Sequence, residues 1–230
     1  MRDFPIFTTD FGLASLTLKE IPYRRQAYIC IRDVQEDFFG EHLKECVDFC
    51  RMAGAERIFA TGHEKLGCYP LYTSVLEMRG ELPADPERMA SLFLVTEATA
   101  GRWREIYNQK MQQVDNAATL EARDEKRLLE SAGVYFVHDN GTLLGIGWLE
   151  DGKLLALAGV LPGAGERVMH TLASVAEGEP ITLEVASTNT RAIRLYEKLG
   201  FVRTREISCW YCVHPAQNKA ESFVISRKNT

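Results

Sequence analysis

One segment of this 230-residue chain constrains its fold more than any other. A continuous apolar run, Lys153–Leu161, has the composition of a strand that is buried on both faces. A glycine-rich break, Pro162–Gly165, separates it from a helical pattern, and a second apolar strand, Ile181–Ala186, follows. Strand, helix and strand in this order predict a right-handed crossover between two parallel strands.

A β-meander is predicted ahead of this unit. Val134–His138 and Thr142–Trp148 alternate around an Asn-Gly pair, which is a strong signal for a two-residue hairpin turn, and an Asp-Gly pair predicts the next turn. Upstream, residue spacing predicts one strand and two helices, at 91–96, 100–114 and 122–131. The predicted fold class is therefore α/β (α+β), with a mixed central sheet, an antiparallel meander, a parallel strand pair and helices on both faces.

The first 90 residues predict a smaller α/β domain. Its elements are four strands, at 4–9, 14–19, 26–32 and 57–61, a helix at 36–52 and a short helix at 71–78. A proline-rich segment, 81–86, predicts the boundary between residues 1–86 and a larger domain of residues 91–230. The tail after His214 is polar, although Phe223–Ile225 suits a further edge strand.

Two interpretations of the N-terminal domain stay open. Leu71-Tyr72 echoes Leu195-Tyr196, and the elements repeat the order of the second half of the larger domain, which favours a degenerate tandem copy. The alternative is a generic α/β extension without common origin.

Charge and composition exclude several functional classes. The net charge is −5, with 46% apolar and 26% charged residues, whereas nucleic-acid or membrane-surface binding needs a basic excess. Without a signal peptide or an apolar span of about 20 residues, we expect a cytoplasmic monomer or homodimer. We expect its six cysteines to be reduced and to pack as apolar side chains, with no metal site, because the C-x-x-C at 209–212 lacks a second pair.

The break between the buried strand and its helix has the character of a phosphate site. Gly163 and Gly165 permit unusual backbone angles and let the chain approach a ligand closely. Amide N–H groups at a helix N-terminus, together with the helix dipole, attract anions. A tight strand–helix turn without a ligand is the competing interpretation.

The segment Leu183–Phe201 adds weight to the phosphate-site interpretation through a resemblance. At every fixed position it resembles the N-x-x-A-x-x-L-Y-E-x-x-G-F stretch of the GCN5-related N-acetyltransferase (GNAT) superfamily, and the glycine turn resembles the family's Q/R-x-x-G-x-G/A motif. The resemblance covers residues 92–213 in complete element order. One departure is Val160, which stands where the motif has Gln or Arg and removes a side-chain donor.

The resemblance implies an acetyl-CoA site. The strand before the turn would splay from its neighbour and hold the pantetheine and acetyl carbonyl, and the turn would hold the pyrophosphate. Asn189 would contact the cofactor arm, or cap its helix, or both. The implied cofactor-binding residues are Leu157, Ala158, Gly159, Val160, Leu161, Gly163, Ala164, Gly165, Glu166, Arg167, Asn189, Ala192 and Tyr196.

The same resemblance implies two catalytic residues. Tyr196 matches the tyrosine that protonates the departing CoA thiolate, although it could instead be a packing residue of the helix face. Glu184 matches a glutamate that serves as base in relatives that acetylate protein N-termini, although it could instead be bound to a backbone or arginine partner. The implied reaction is acetyl transfer to a primary amine of a small molecule or peptide by direct attack. The alternatives are a non-catalytic acyl-CoA sensor and a tandem transferase that acts on an amino sugar.

Overall fold

The computed structural model describes residues 5–83, 85, 87, 89–176 and 178–215. The chain divides into two compact units: unit 1 combines residues up to Tyr72 with those from Cys209 onward, and unit 2 is Thr73–Ser208. The division therefore falls about ten residues before the proline-rich boundary expected at 81–86, and the C-terminus joins the N-terminal unit. A predicted strand at Phe223–Ile225 lies outside the described residues.

The described residues contain eleven strands and six α-helices. The strands are β1 Ile6–Thr9, β2 Gly12–Thr17, β3 Gln26–Val34, β4 Arg57–Thr61, β5 Leu71–Gly80, β6 Ser91–Leu94, β7 Val134–Asp139, β8 Thr142–Glu150, β9 Lys153–Gly159, β10 Ile181–Ala186 and β11 Val202–His214. The helices are α1 Ile21–Arg24, α2 Phe39–Met52, α3 Ala100–Met111, α4 Glu125–Glu130, α5 Gly165–Ala173 and α6 Thr190–Lys198. Among these described helices, none combines the length and the apolar character needed to cross a bilayer.

Unit 1 is built on strands in the order β1-β2-β3-β4-β11. The first three strands are antiparallel neighbours, and α2 connects β3 to a parallel β4. The β3–β4 ladder runs from Gln26↔Arg57 to Cys30↔Thr61 and covers every residue of β4. The last part of β11 then pairs antiparallel with β4.

The buried face of α2 confirms that its cysteines pack as apolar side chains. His42, Cys46 and Cys50 follow one another at one-turn intervals, and all three are fully buried. Burial raises the pKa of each of the two thiols to about 12, so both stay protonated at neutral pH. His42 Nδ1 lies 2.8 Å from Thr9 Oγ1, which gives the buried ring a polar partner on β1.

Unit 2 contains the predicted meander, with β6, β7, β8 and β9 as successive antiparallel neighbours. Both predicted two-residue turns are confirmed, because Asp139 pairs with Thr142 and Glu150 with Lys153. All four turn residues have positive φ, between 46° and 81°, as primed hairpin turns require.

The predicted crossover is also confirmed, since β9, α5 and β10 follow in sequence and the two strands are parallel. The two strands are joined by only two residue pairs, at the start of each strand. On its other side β10 pairs antiparallel with β5 over six residues, from Ile181↔Gly80 to Ala186↔Val75.

Helices cover both faces of the unit 2 sheet, as the sequence predicts. One apolar core lies between α5, α6 and the sheet, and includes Val168, Leu172 and Leu183. A second core, around Trp103 and Trp148, lies between α3, α4 and the opposite face. The α5 helix approaches β8 so closely that a Cβ on Gly147 would lie 2.2 Å from a methyl carbon of Leu172.

The prediction of a short helix at 71–78 is wrong, because these residues form β5. Tyr72, Thr73 and Val75 are strand formers, and strands β10 and β11 flank β5 and complete its backbone hydrogen bonding. Tyr72 therefore lies on a strand whereas Tyr196 lies on a helix, and the echo between the two Leu-Tyr pairs carries no structural meaning.

The two units nevertheless share an order of elements. In each unit an antiparallel meander is followed by a crossover helix and then by a strand parallel to the last strand of the meander. In each unit the next strand in the sheet is antiparallel to that strand and comes from the other half of the sequence. The tandem-copy interpretation stays a prediction, and this shared order, not the Leu-Tyr pair, is the observation that favours it.

A fragment of residues 90–230 tests the place of β5 in unit 2. It lacks β5, so β10 becomes an unpaired edge and the core loses Met78 and Leu82. Because these losses amount to several kcal/mol, we expect a melting temperature at least ~10 °C below that of the full chain, or no cooperative transition. Adding a peptide of residues 70–83 should restore part of the loss, and an unchanged melting temperature would contradict this account.

Candidate functional site

The central feature of unit 2 is a gap between two parallel strands. β9 and β10 pair only at Lys153↔Thr182 and Leu154↔Leu183, and beyond these pairs the ladder stops. Among the described residues, the rest of β9, from Leu155 to Gly159, therefore has a neighbouring strand on the β8 side only. An interrupted ladder of this kind leaves backbone donors and acceptors available to a ligand.

Alternation along β9 decides which amides face the gap. The amide of Val160 donates to the carbonyl oxygen of Leu144 at 2.8 Å, so it points toward β8. In an antiparallel pair the hydrogen-bonding groups of alternate residues point to opposite sides. Those of Leu157 and Gly159 consequently point into the gap, whereas those of Ala158 and Val160 are used by β8.

The turn after β9 has the geometry expected of an anion site. Residues Leu161 to Gly163 are exposed. Gly163 has φ +79°, and apart from its chain neighbours no atom of the described residues lies within 4 Å of where its Cβ would stand. The first hydrogen bond of α5 runs from Val168 to Ala164, and no side chain caps the N-terminus. The amides of the first turn are thus directed outward at the positive end of the helix dipole.

Charged side chains surround this turn in pairs. Glu166 is bound to Lys198, and Arg167 donates to Asp139 at 2.6 Å, so each acid beside the turn has a cation next to it. Lys110 of α3 donates to the carbonyl oxygen of Val160 at 3.2 Å. Sequence reasoning missed Lys110, which brings a positive charge to the position where the motif's Gln or Arg is absent.

Asn189 performs the capping role predicted for it. Its side-chain oxygen accepts a hydrogen bond from the amide of Ala192 at 3.2 Å and so begins α6. The same residue lines a pocket beside the gap, so capping and ligand contact are compatible.

Tyr196 lies in the core between α6 and the sheet. Its side chain is 7% exposed and packs on Phe201, with ring centroids 5.8 Å apart. Burial raises the pKa of its hydroxyl to about 12, which keeps the phenol protonated throughout the physiological range. Within the described chain this hydroxyl donates to no protein acceptor, so its proton is not committed to a structural bond.

Glu184 is the first residue of β10 beyond the paired region. Its carboxylate forms an ion pair with Lys153 at 2.5 Å, and the two side chains are 45% and 47% exposed. Glu184 therefore stands at the point where the strands diverge, and its charge is compensated by Lys153 without being buried.

A pocket of about 170 Å³ lies between the residues that follow α3 and the start of α6. Its lining residues are Gln113, Val114, Asp115, Thr188, Asn189, Thr190 and Arg191. The hydroxyl of Thr188 donates to the Asp115 carboxylate at 2.8 Å and joins the two walls. No sequence signal pointed to Asp115 or Arg191, because they converge only in the folded chain.

Comparison with known proteins identifies the fold. Residues 125–211 match the family described as FR47-like protein. A GCN5-related N-acetyltransferase from Sphaerobacter thermophilus is 14% identical, with 90% of this chain and 78% of that chain covered and a TM-score of 0.51. A functionally unknown conserved protein from Staphylococcus epidermidis is 12% identical over 92% and 94% of the chains, with a TM-score of 0.55.

A third solved structure agrees with these two. A GCN5-related N-acetyltransferase from Kribbella flavida is 10% identical, with 90% and 58% of the chains covered and a TM-score of 0.54. No curated protein matches this chain. Residues 125–211 thus match the FR47-like family model, and the chain has the fold of solved GCN5-related N-acetyltransferases.

Proposed function

We propose that this protein is a cytoplasmic N-acetyltransferase that uses acetyl-CoA to acetylate a primary amine. The single observation that carries the proposal is the interrupted β9–β10 ladder, which leads directly into an exposed glycine turn at a helix N-terminus. A backbone gap followed by an anion site matches a long ligand with a hydrogen-bonding arm and a phosphate group.

The described residues fit acetyl-CoA, which supplies an acetyl group activated as a thioester. The amides of Gly163, Gly165, Glu166 and Arg167 would bind its pyrophosphate, with Lys110 adding positive charge nearby, whereas the amide of Ala164 donates to the carbonyl oxygen of Leu161. The amides of Leu157 and Gly159 would donate hydrogen bonds to the arm and to the thioester carbonyl oxygen. Fixed donors at that oxygen favour attack, because they stabilise the charge that develops there.

Two residues would move the protons of the reaction. Glu184 would accept the proton that the amine nitrogen loses as its bond to the acetyl carbon forms, after Lys153 is displaced or reoriented. Tyr196 would donate its phenolic proton to the CoA sulfur as the carbon–sulfur bond breaks. Solvent would then return the proton from Glu184 to Tyr196.

A non-catalytic acyl-CoA sensor is the second candidate, and the substitution at Val160 favours it. Binding of CoA without turnover distinguishes the two. Steady-state release of free CoA, measured with a panel of primary amines, should exceed the rate without amine by more than tenfold for at least one amine. CoA binding with no such amine would support the sensor instead.

Unit 1 gives a physical reason to propose one cofactor site per chain. Its parallel pair β3–β4 is closed along the whole of β4, so no gap opens between the strands. The end of β3 and the residues after it include Asp33, Glu36 and Asp37, whose negative charges would repel phosphate groups.

Titration with CoA tests this assignment by calorimetry. We expect one site per chain, and we expect Gly163→Glu to weaken binding at least tenfold, because it adds a carboxylate to the anion site. Gly178→Glu is the matched control. Gly178 also has a positive φ (+87°) and open space where a Cβ would stand, but it follows the C-terminal end of α5, away from the glycine turn. Two sites per chain, or equal effects of both substitutions, would contradict the assignment.

Substitution of Tyr196 by Phe tests the proton donor. It removes one hydroxyl and little volume, so we expect kcat to fall ~10²–10⁴-fold while CoA affinity and melting temperature hold. Tyr135→Phe is the control, because the Tyr135 hydroxyl donates to a backbone oxygen away from the gap. Since the pKa of Tyr196 is about 12, wild-type activity should show no loss from its ionisation up to pH 10. A Phe variant within about threefold of wild type would assign Tyr196 to packing.

A further inference from the structure

We infer that Arg191 and Arg194, on the exposed face of α6, bind the 3′-phosphate of CoA and so distinguish CoA from 3′-dephospho-CoA. This phosphate is a monoester on the ribose, and its charge of about −1.5 to −2 at neutral pH is separate from that of the pyrophosphate. The inference rests on the proposed function, because it adds a second anion subsite to the same cofactor site.

Helical spacing puts the two arginines on one face of α6. Arg194 follows Arg191 by three residues and Lys198 follows Arg194 by four, so the three cations form a stripe along the helix. Both arginines are exposed, whereas Ile193 and Tyr196 are buried on the other face of the helix. The stripe is therefore presented to solvent, where two long side chains can close on the same anion.

The two arginines have no acid to balance them. Within the described part of the chain, neither guanidinium forms a hydrogen bond, an ion pair or an aromatic contact. The other charged residues of the helix are paired. Glu197 accepts from Arg203 at 2.8 Å, and Lys198 is bound to Glu166. Two adjacent cations are thus left without a partner in a chain whose net charge is −5.

Both positions are unfavourable for a cation unless an anion binds there. Arg191 is the second residue of α6, where the helix dipole disfavours positive charge. Arg194 lies one turn further on, at a spacing at which like charges repel each other. A bound phosphate monoester would reverse both effects, because it brings negative charge to the helix N-terminus and bonds to both guanidinium groups.

The stripe adjoins the glycine turn proposed to hold the pyrophosphate. A Cβ on Gly165 would stand 3.1 Å from a methyl carbon of Leu195, so α6 packs directly against the first residue of α5. Leu195 lies within about one turn of both arginines, and the ion pair between Lys198 and Glu166 joins the same two helices. In CoA only the ribose separates the 3′-phosphate from the pyrophosphate. A pyrophosphate bound at the glycine turn therefore brings the third phosphate within reach of the stripe.

An acidic group on the acceptor offers the same chemistry from another source, because Arg191 also lines the pocket beside α6. Arg194 is not among the residues that line this pocket, whereas a phosphate of the cofactor would engage both arginines. The two sources give different results when the cofactor alone is varied and no acceptor is present.

The test is calorimetric titration of the full chain with CoA and with 3′-dephospho-CoA at low ionic strength, where screening of exposed charges is weak. We expect wild type to bind 3′-dephospho-CoA at least about fivefold more weakly than CoA, because the arginines lose the phosphate they bind. Arg191→Gln and Arg194→Gln should each weaken CoA binding about threefold, as expected for an exposed ion pair, and leave 3′-dephospho-CoA binding unchanged. The double variant should bind the two cofactors within about twofold of each other, with an unchanged melting temperature.

Arg79→Gln is the matched control, because Arg79 is an exposed arginine opposite Thr182, at the closed end of the β9–β10 gap. It removes the same charge from the chain and should keep the wild-type preference for CoA. The inference is overturned if wild type binds both cofactors equally, if the preference survives in the double variant, or if Arg79→Gln reduces it as much. In these outcomes CoA still binds and the proposed function stands. Failure of wild type to bind either cofactor would instead contradict the proposed function, and this inference with it.

Discussion

The structure of unit 2 depends on a β-ladder that stops after two residue pairs. A parallel pair normally satisfies its backbone groups along its whole length, as β3 and β4 do in unit 1. In unit 2 the strands diverge beyond Leu154 and Leu183, and the unused amides of β9 become the proposed binding surface. The two units share an order of elements but differ in this pairing: the parallel ladder is interrupted in unit 2, which is proposed to bind the cofactor, and continuous in unit 1, which is not.

A divergent strand pair needs support from outside, because β10 gives up most of its bonds to β9. β5 supplies this support with six residue pairs along the other edge of β10. Hydroxyl contacts from Thr73 to Ser187 and Thr188 extend the support to the loop before α6. The N-terminal half of the sequence therefore holds in place the loop that carries Asn189 and lines one wall of the pocket beside α6.

Local sequence patterns were enough to predict the meander, both primed turns, the crossover and the cap at Asn189, because short-range geometry determines each of them. The identity of β5 could not be predicted in this way, since strands more than a hundred residues away impose it. The same holds for Lys110 at Val160 and Asp115 at Thr188, whose partners are 50 and 73 residues distant. Resemblance supplied the residues proposed to bind the cofactor, whereas the contacts of Lys110 and Asp115 are visible only in the folded chain.

Amide hydrogen exchange, measured residue by residue with and without saturating CoA, tests the central claim most directly. The account predicts slower exchange at Leu157 and Gly159 and through residues 163–167 when CoA is present. It predicts no change along β3 and β4, whose ladder is closed. Unchanged exchange in β9 and the glycine turn, or protection confined to residues 26–40, would contradict the claim that the interrupted ladder is the cofactor site.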